Sequence, residues 1–168
     1  MTRSFKTMPT PVGRLTLVAG DKGLMAILWE NDDPLRVRLG DLVERPDHPV
    51  LLQTEQQLGD YFAGRRKIFD VELEFVGTDF QKQVWAALLR IPFGETRTYA
   101  QIAHEIGNPK SVRAVGAANG KNPISIIAPC HRVIGSNGSL TGFAGGLAAK
   151  RTLLSLESGI ADLFFKVG

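Results

Sequence analysis

The hydrophobic period of the chain changes at Gly77, and that change restricts the fold more than any other feature of the sequence. Before Gly77 the apolar residues mostly follow a strand pattern. Residues 14–19 alternate and are rich in Leu, Val and Thr, Gly20-Asp21-Lys22-Gly23 is a turn, and residues 24–29 resume an apolar run. Two such runs joined by four residues containing glycine predict a hairpin. Residues 4–8 predict a neighbouring strand, ended by Pro9 and Pro11. Residues 31–49 are polar and broken by Pro34, Pro46 and Pro49, which predicts an irregular connection. Val50, Leu51, Thr54, Leu58, Tyr61 and Phe62 then recur at helical spacing, predicting a helix over 50–62 closed by Gly64. Val71, Leu73 and Phe75 alternate with Glu72 and Glu74, as in a half-buried strand.

After Gly77 the period is that of helices. Thr78 with Gln81 three residues on makes a capping box. The helix it starts carries Phe80, Val84, Trp85, Leu88 and Leu89 on one face and stops before Pro92. Thr98 with Gln101 repeats the device for a short helix over 99–106, and Gly107-Asn108-Pro109-Lys110 ends it. Ser111 is placed to cap a helix over 112–119, with Gly120 at its end. Two short helices separated by a glycine-containing turn have the outline of a helix-turn-helix, an outline shared by many helical hairpins that bind no DNA. The second of them is unusual in composition: Ala114, Gly116, Ala117 and Ala118 have almost no bulk, and Arg113 is its only charge. Such a helix can approach another backbone closely, including that of a nucleic acid. Residues 124–128 are apolar and extended, Gly142-Phe143-Ala144-Gly145-Gly146 is a glycine-rich loop, and a last helix spans 147–156. That helix offers Leu147, Leu153, Leu154 and Leu156 to the core and has Gly159 as its stop. The fold class is therefore α/β in the mixed, α+β sense. A supporting domain over 1–77 carries a small antiparallel sheet with a helix, and a mostly helical domain with a helix-turn-helix covers 78–168.

Composition narrows the function. Apolar residues make up 43% of the 168, as in a globular protein, and no apolar run approaches the ~20 residues of a membrane span. The first six residues lead into no apolar stretch of the kind a secretory signal needs. A single cysteine makes no internal disulfide, and together these features predict a reducing, cytoplasmic location. Residues 1–76 hold 10 Lys and Arg against 12 Asp and Glu, while residues 77–168 hold 10 against 5. The basic second half points weakly to a polyanionic partner, although a chance imbalance of solvated charge looks the same.

That one cysteine lies in Pro129-Cys130-His131-Arg132-Val133. A lone cysteine is commonly just a small buried hydrophobe. As a nucleophile it needs help, because a free thiol with a pKa near ~8.5 is mostly protonated at neutral pH. His131 is the adjacent base. Neighbouring side chains of an extended segment point to opposite faces, so a turn or a bridging water is needed between the two. A third group must orient the imidazole; Glu157 is the first candidate and Asp162 its competitor. One Cys with His48, His104 and His131 shows no zinc-ligand spacing, so no metal site is expected. A buried structural cysteine and a cysteine hydrolase both remain open from these residues alone.

The motif resembles the acceptor sequence of the O6-alkylguanine-DNA alkyltransferases. Tyr99-x-x-Ile102-Ala103, Gly107-Asn108-Pro109, Arg113-Ala114-Val115-Gly116, Asn122-Pro123, Gly142 with Gly145-Gly146, and Lys150 with Leu153-Leu154 and Glu157 are similar to that family in order and spacing. The resemblance covers residues 78–159 strongly and the first half in outline. It implies a ribonuclease H-like roll in the first half and a minor-groove helix-turn-helix in the second. It further implies irreversible, single-turnover transfer of an alkyl group from O6-alkylguanine, and from O4-alkylthymine, to Cys130. In that reading His131 takes the thiol proton through a water, Glu157 orients His131, and Asn122 holds the active-site turn. Arg113 enters the base stack in place of the extruded nucleotide, and Tyr99 presses on its phosphate. Ser111, Ala114, Gly116, Ala117 and Asn119 meet the DNA, and Tyr99, Val133, Phe143 and Ala144 line the base pocket. Extrusion is physically required, because a stacked base cannot present O6 in line to a protein sulfur. No cofactor and no metal are implied. The implied partner is double-stranded DNA carrying alkylated guanine, bound by a protein that is monomeric when free and clusters on DNA. Phe143 stands where some relatives have a hydroxylated aromatic, and Asn119-Gly120 is less bulky than in some eukaryotic relatives. An alkyltransferase-like lesion sensor is the alternative, and Cys130 argues against it.

Overall fold

A computed structural model describes residues 2–140, residues 142–158 and the short strand Lys166–Val167. Asp162 and the helix stop expected at Gly159 lie outside the described residues. The chain divides into two compact units, Met1–Val76 and Gly77–Gly168.

The first unit is a four-stranded sheet in the order β3-β2-β1-β4. Strands β1 (Arg3–Thr10), β2 (Gly13–Ala19) and β3 (Leu24–Leu28) form an antiparallel meander. Pro9 does not end β1 as expected, but pairs with Arg14 inside it. The Arg14 N–H turns away from Pro9 and donates to Glu30 Oε1 at 2.8 Å, so this rung needs no donor from Pro9. The stretch expected to be irregular contributes β4 (Leu42–Glu44), parallel to β1 through Arg3–Phe5. The sheet is therefore mixed rather than wholly antiparallel. The strand expected around Leu73 reduces to one bridge, Leu24 to Leu73, fixed by Leu24 N–H to Glu72 O and Glu74 N–H to Leu24 O, each at 2.8 Å.

Period two sends alternate residues to opposite faces of this sheet. Leu17 and Ile27 are paired and fully buried beneath helix α1 (Pro49–Phe62), whose Leu51, Thr54, Leu58 and Tyr61 are also buried. Lys6, opposite Leu17, reaches Glu55 of that helix at 3.6 Å. The other face carries Phe5, Val18 and Ala26, covered by Val37, Leu39 and Leu42. The segment before β4 thus serves as a lid of the core.

The second unit opens on helix α2 (Asp79–Leu89), where Thr78 and Gln81 form both bonds of the capping box. A Cβ on Gly77 would lie 2.6 Å from the Trp85 ring, so only glycine lets the chain turn into this helix. Val84, Trp85, Ala87 and Leu88 are buried, whereas Leu89 is 44% exposed and does not join them. At 100° per residue Leu89 falls just off the buried arc that Ala87 fills. The Trp85 indole donates to the carbonyl of Ala118 at 2.9 Å and ties α2 to the helix that contains Ala118. Strand β5 (Arg97–Thr98) leads into α3 (Tyr99–Glu105), again through a complete capping box. Gly107, at φ +78°, makes the turn toward α4 (Val112–Gly120). Short strands β6 (Val133–Ile134) and β7 (Ser139–Leu140) follow, then α5 (Leu147–Ser158) and β8 (Lys166–Val167). β6 pairs with β5 and β7 with β8, both in parallel.

Candidate active site

The cysteine sits on a single 3-10 turn, Cys130–Arg132, entered from Pro129. Asn122, fully buried, builds the approach to it. Its Nδ2 donates to the carbonyl of Ala128 at 2.8 Å, and its Oδ1 accepts the N–H of Ile124 at 3.1 Å. Residues 124–128, expected to be extended, turn instead: the Ala128 N–H donates to Ile124 O at 3.0 Å, and Ile126 holds φ +75°, a region that β-branched residues rarely enter. A buried asparagine thus closes a compact, strained loop and delivers Cys130.

The 3-10 turn breaks the extended backbone that would send the adjacent Cys130 and His131 side chains to opposite faces. Cys130 is 4% exposed and His131 fully buried. His131 Nε2 lies 2.7 Å from Oε2 of Glu157, a residue of α5. Its Nδ1 is buried with no hydrogen-bond partner among the described residues. Glu157 also takes two bonds from Arg132, Nε to Oε1 at 2.7 Å and Nη2 to Oε2 at 3.0 Å. Burial by itself would raise the Glu157 carboxyl, but the hydrogen bonds and charges of His131 and Arg132 outweigh it and hold the group well below the usual carboxylate range. His131 moves down as well. Burial is the main cause, Glu157 opposes it, and the charges of Arg132 and Lys150 add to it. A neutral imidazole facing an ionised carboxylate carries its proton on Nε2, which leaves Nδ1 as an acceptor.

Lys150 is a second buried cation at the site. Its Nζ donates to the carbonyl of Val133 at 2.7 Å and lies 5.9 Å from the centre of the Phe143 ring. Burial pushes its ammonium down to about 8, against the pull of Cys130. Neither Arg132 nor Lys150 stood out as an acting residue in the sequence. A buried charge there looks like a surface charge, and the signal that could have found Arg132 was its place inside the acceptor motif.

The other expected site residues divide. The β5–β6 ladder pairs Thr98 with Ile134, which sets Tyr99 at the start of α3 beside the strand leaving the 3-10 turn. Tyr99 is half-buried and packs on α4, since a Cβ on Gly116 would lie 3.9 Å from its ring. Arg113, Ala114 and Ala117 are exposed on α4. Asn119 is not on that surface. It is 6% exposed on the core side of α4, because it follows Val115 and Ala118 along the buried stripe. Ser111 does not cap α4 with its side chain; its hydroxyl turns back and donates to Asn108 O at 2.6 Å. Val133 is fully buried, so what it offers the site is its backbone. Phe143 is half-buried and Ala144 exposed on the loop before α5.

Comparison with known proteins finds relatives for both units of the chain. A family model described as the 6-O-methylguanine DNA methyltransferase DNA binding domain matches residues 79–159, and the ribonuclease-like domain of the same family matches residues 4–75. The chain belongs to the 6-O-methylguanine DNA methyltransferase family. Among family members named methylated-DNA–protein-cysteine methyltransferase, one from Mycobacterium bovis is 49% identical over 155 residues, covering 91% of each chain. One from Methanosarcina mazei is 48% identical over 153 residues, covering 91% of this chain and 96% of its own. The fold matches a crystal structure of Mycobacterium tuberculosis OGT in complex with DNA with a TM-score of 0.83 and 47% identity, covering 97% and 98% of the two chains. The methyltransferase family thus accounts for both units of the chain, the ribonuclease-like one and the one that holds Cys130.

Proposed function

We propose that this protein repairs DNA by moving the alkyl group of O6-alkylguanine, and of O4-alkylthymine, irreversibly onto Cys130. The observation that carries this reading is the chain of groups behind the thiol: Glu157 bonded to His131 Nε2 at 2.7 Å, and a buried Nδ1 on the side left to accept. The thiol proton passes through a water to His131 Nδ1. The thiolate sulfur then attacks the alkyl carbon, a C–S bond forms, and the C–O6 bond breaks with its electron pair passing to the base. The base takes a proton and is guanine again. The thioether has no leaving group that the site can expel, so each molecule acts once. No cofactor is required, because the lesion is the alkyl donor.

Delivery of the base falls to the helix-turn-helix. Helix α4 enters the minor groove with its small exposed face, Ala114, Gly116 and Ala117. Arg113 fills the stack that the extruded nucleotide leaves, and Tyr99 presses on its phosphate. Phe143, Ala144 and the backbone of Val133 bound the pocket. Unstacking costs a few kcal/mol and is cheapest for a poorly paired, damaged base. Residues 78–168 carry the chemistry, and residues 1–77 support them. The protein is a monomer when free and gathers along DNA. A cytoplasmic location suits a chain that must keep its one thiol reduced.

The test uses a duplex with one O6-methylguanine, followed by digestion to nucleosides. Conversion of that nucleoside to deoxyguanosine in an unbroken strand is the expected result. An abasic site, or an unchanged lesion on a duplex that the protein still binds, would replace this reading by base excision or by lesion sensing.

A further inference from the structure

Arg132 occupies a costly position for a surface-type side chain. It is 6% exposed, and three of its nitrogens are engaged: Nε and Nη2 on the two oxygens of Glu157, and Nη1 on the carbonyl of Ile91 at 2.6 Å. The Phe93 ring centre lies 5.8 Å from its guanidinium carbon. A buried ion pair of this kind adds little stability over a well-packed apolar pair, because desolvation offsets the attraction. Stability alone therefore gives weak reason for it.

We propose that Arg132 is a positioning residue of the alkyl transfer, which by clamping the Glu157 carboxylate that it shares with His131 adds to burial in keeping the imidazole neutral, with Nδ1 open to the Cys130 proton. The proposal rests on the transfer reading above. A carboxylate whose sole partner is an imidazole draws a proton onto it, and the resulting imidazolium has no lone pair to accept another. Arg132 opposes this in two ways. Its permanent charge offsets the pull of Glu157, and it repels an imidazolium on the neighbouring residue. Its planar fork also fixes both carboxylate oxygens, so Oε2 stays aimed at Nε2. The charged groups that act on His131 are Glu157 and Lys150 from α5 and Arg132 from its own turn, while the neighbouring Cys130 acts on Lys150. Arg132 holds both oxygens of Glu157, whereas Lys150 Nζ donates to the carbonyl of Val133.

The test is the single-turnover transfer rate from an O6-methylguanine duplex as a function of pH, for wild type, Arg132→Lys and Arg132→Met. Folding is checked by circular dichroism. In Arg132→Met the acid limb of the profile should move to higher pH by about one unit, with transfer near that limb about tenfold slower. Arg132→Lys keeps the charge but not the fork, so its limb should stay near the wild-type position at a lower plateau. A uniform loss of rate in Arg132→Met with the limb unmoved, or a limb moved toward acid, would overturn the proposal.

A second measurement needs no variant of Arg132. Nitrogen NMR of His131 in the wild-type protein should show Nε2–H at neutral pH and titration below the ordinary imidazole value of 6.5. Titration above that value, or a proton on Nδ1, would overturn it. If the wild-type protein transfers no alkyl group, the function reading fails by itself, and the His131 titration still reports on its own claim.

Discussion

Asn122 and Ala128 are six residues apart, and one bond between them, Nδ2 to the carbonyl at 2.8 Å, closes the loop that presents the cysteine. The Ile124 N–H held by the same side chain makes that closure two-sided. Replacing Asn122 by Ala orphans a buried carbonyl and a buried N–H, each costing about 1–3 kcal/mol. It also frees Ile126 from its left-handed backbone, a conformation that itself costs about 1–3 kcal/mol. Urea unfolding of Asn122→Ala should show a loss of stability of a few kcal/mol, with slower transfer in the fraction that folds. A loss below about 1 kcal/mol would mean that the loop holds itself.

Acid should lower the stability of the protein in two windows, because the pKa values of buried His131 and Glu157 are both depressed. His131 is held neutral in the folded state, so its contribution is complete above its ordinary value of 6.5 and falls away as the pH drops below it. Glu157 is held at about 2 against an ordinary 4.5, so its contribution is complete above 4.5 and is lost between 4.5 and about 2. Unfolding free energy measured across this range should fall in both windows. In Glu157→Gln the lower window should vanish. Its persistence would mean that other carboxylates dominate acid unfolding.

Gly116 separates the needs of the fold from those of DNA binding. A methyl group there would sit 3.9 Å from the Tyr99 ring, an ordinary contact, and alanine favours a helix by about 1 kcal/mol over glycine. Gly116→Ala should therefore raise the melting temperature by a few degrees while weakening binding to duplex DNA severalfold. Unchanged DNA affinity would show that the small face of α4 does not approach the duplex closely.

Arg113 is exposed on α4. Arg113→Ala should slow transfer from a duplex by at least tenfold more than transfer from free O6-benzylguanine, because only the duplex needs its stack refilled, a cost of a few kcal/mol. Equal slowing with both substrates would refute the role of Arg113 in extrusion.

How much of this was legible in the sequence follows from the range of each interaction. The capping boxes of Thr78 and Thr98 are made within four residues, and both were readable. Helix α1 was readable from its apolar spacing. Strand β4 was not, since three residues become a strand only by pairing with Arg3–Phe5 some forty positions away. Asn119 was expected on the surface of α4 and lies on its core side for a related reason. Composition marks a polar residue on a short helix as a surface group, whereas the turn of the helix decides which way it faces. The clamp of Arg132 on Glu157 joins residues 25 apart, and nothing in the local pattern of either reveals it.

Titration of the protein with excess duplex carrying methyl-labelled O6-methylguanine decides whether Cys130 itself receives the alkyl group, and once. Label transfer should stop at one methyl per chain, all of it in the peptide containing Cys130, and Cys130→Ser should bind the duplex but take up none. Continued turnover past one equivalent, label on another residue, or transfer by Cys130→Ser would contradict it.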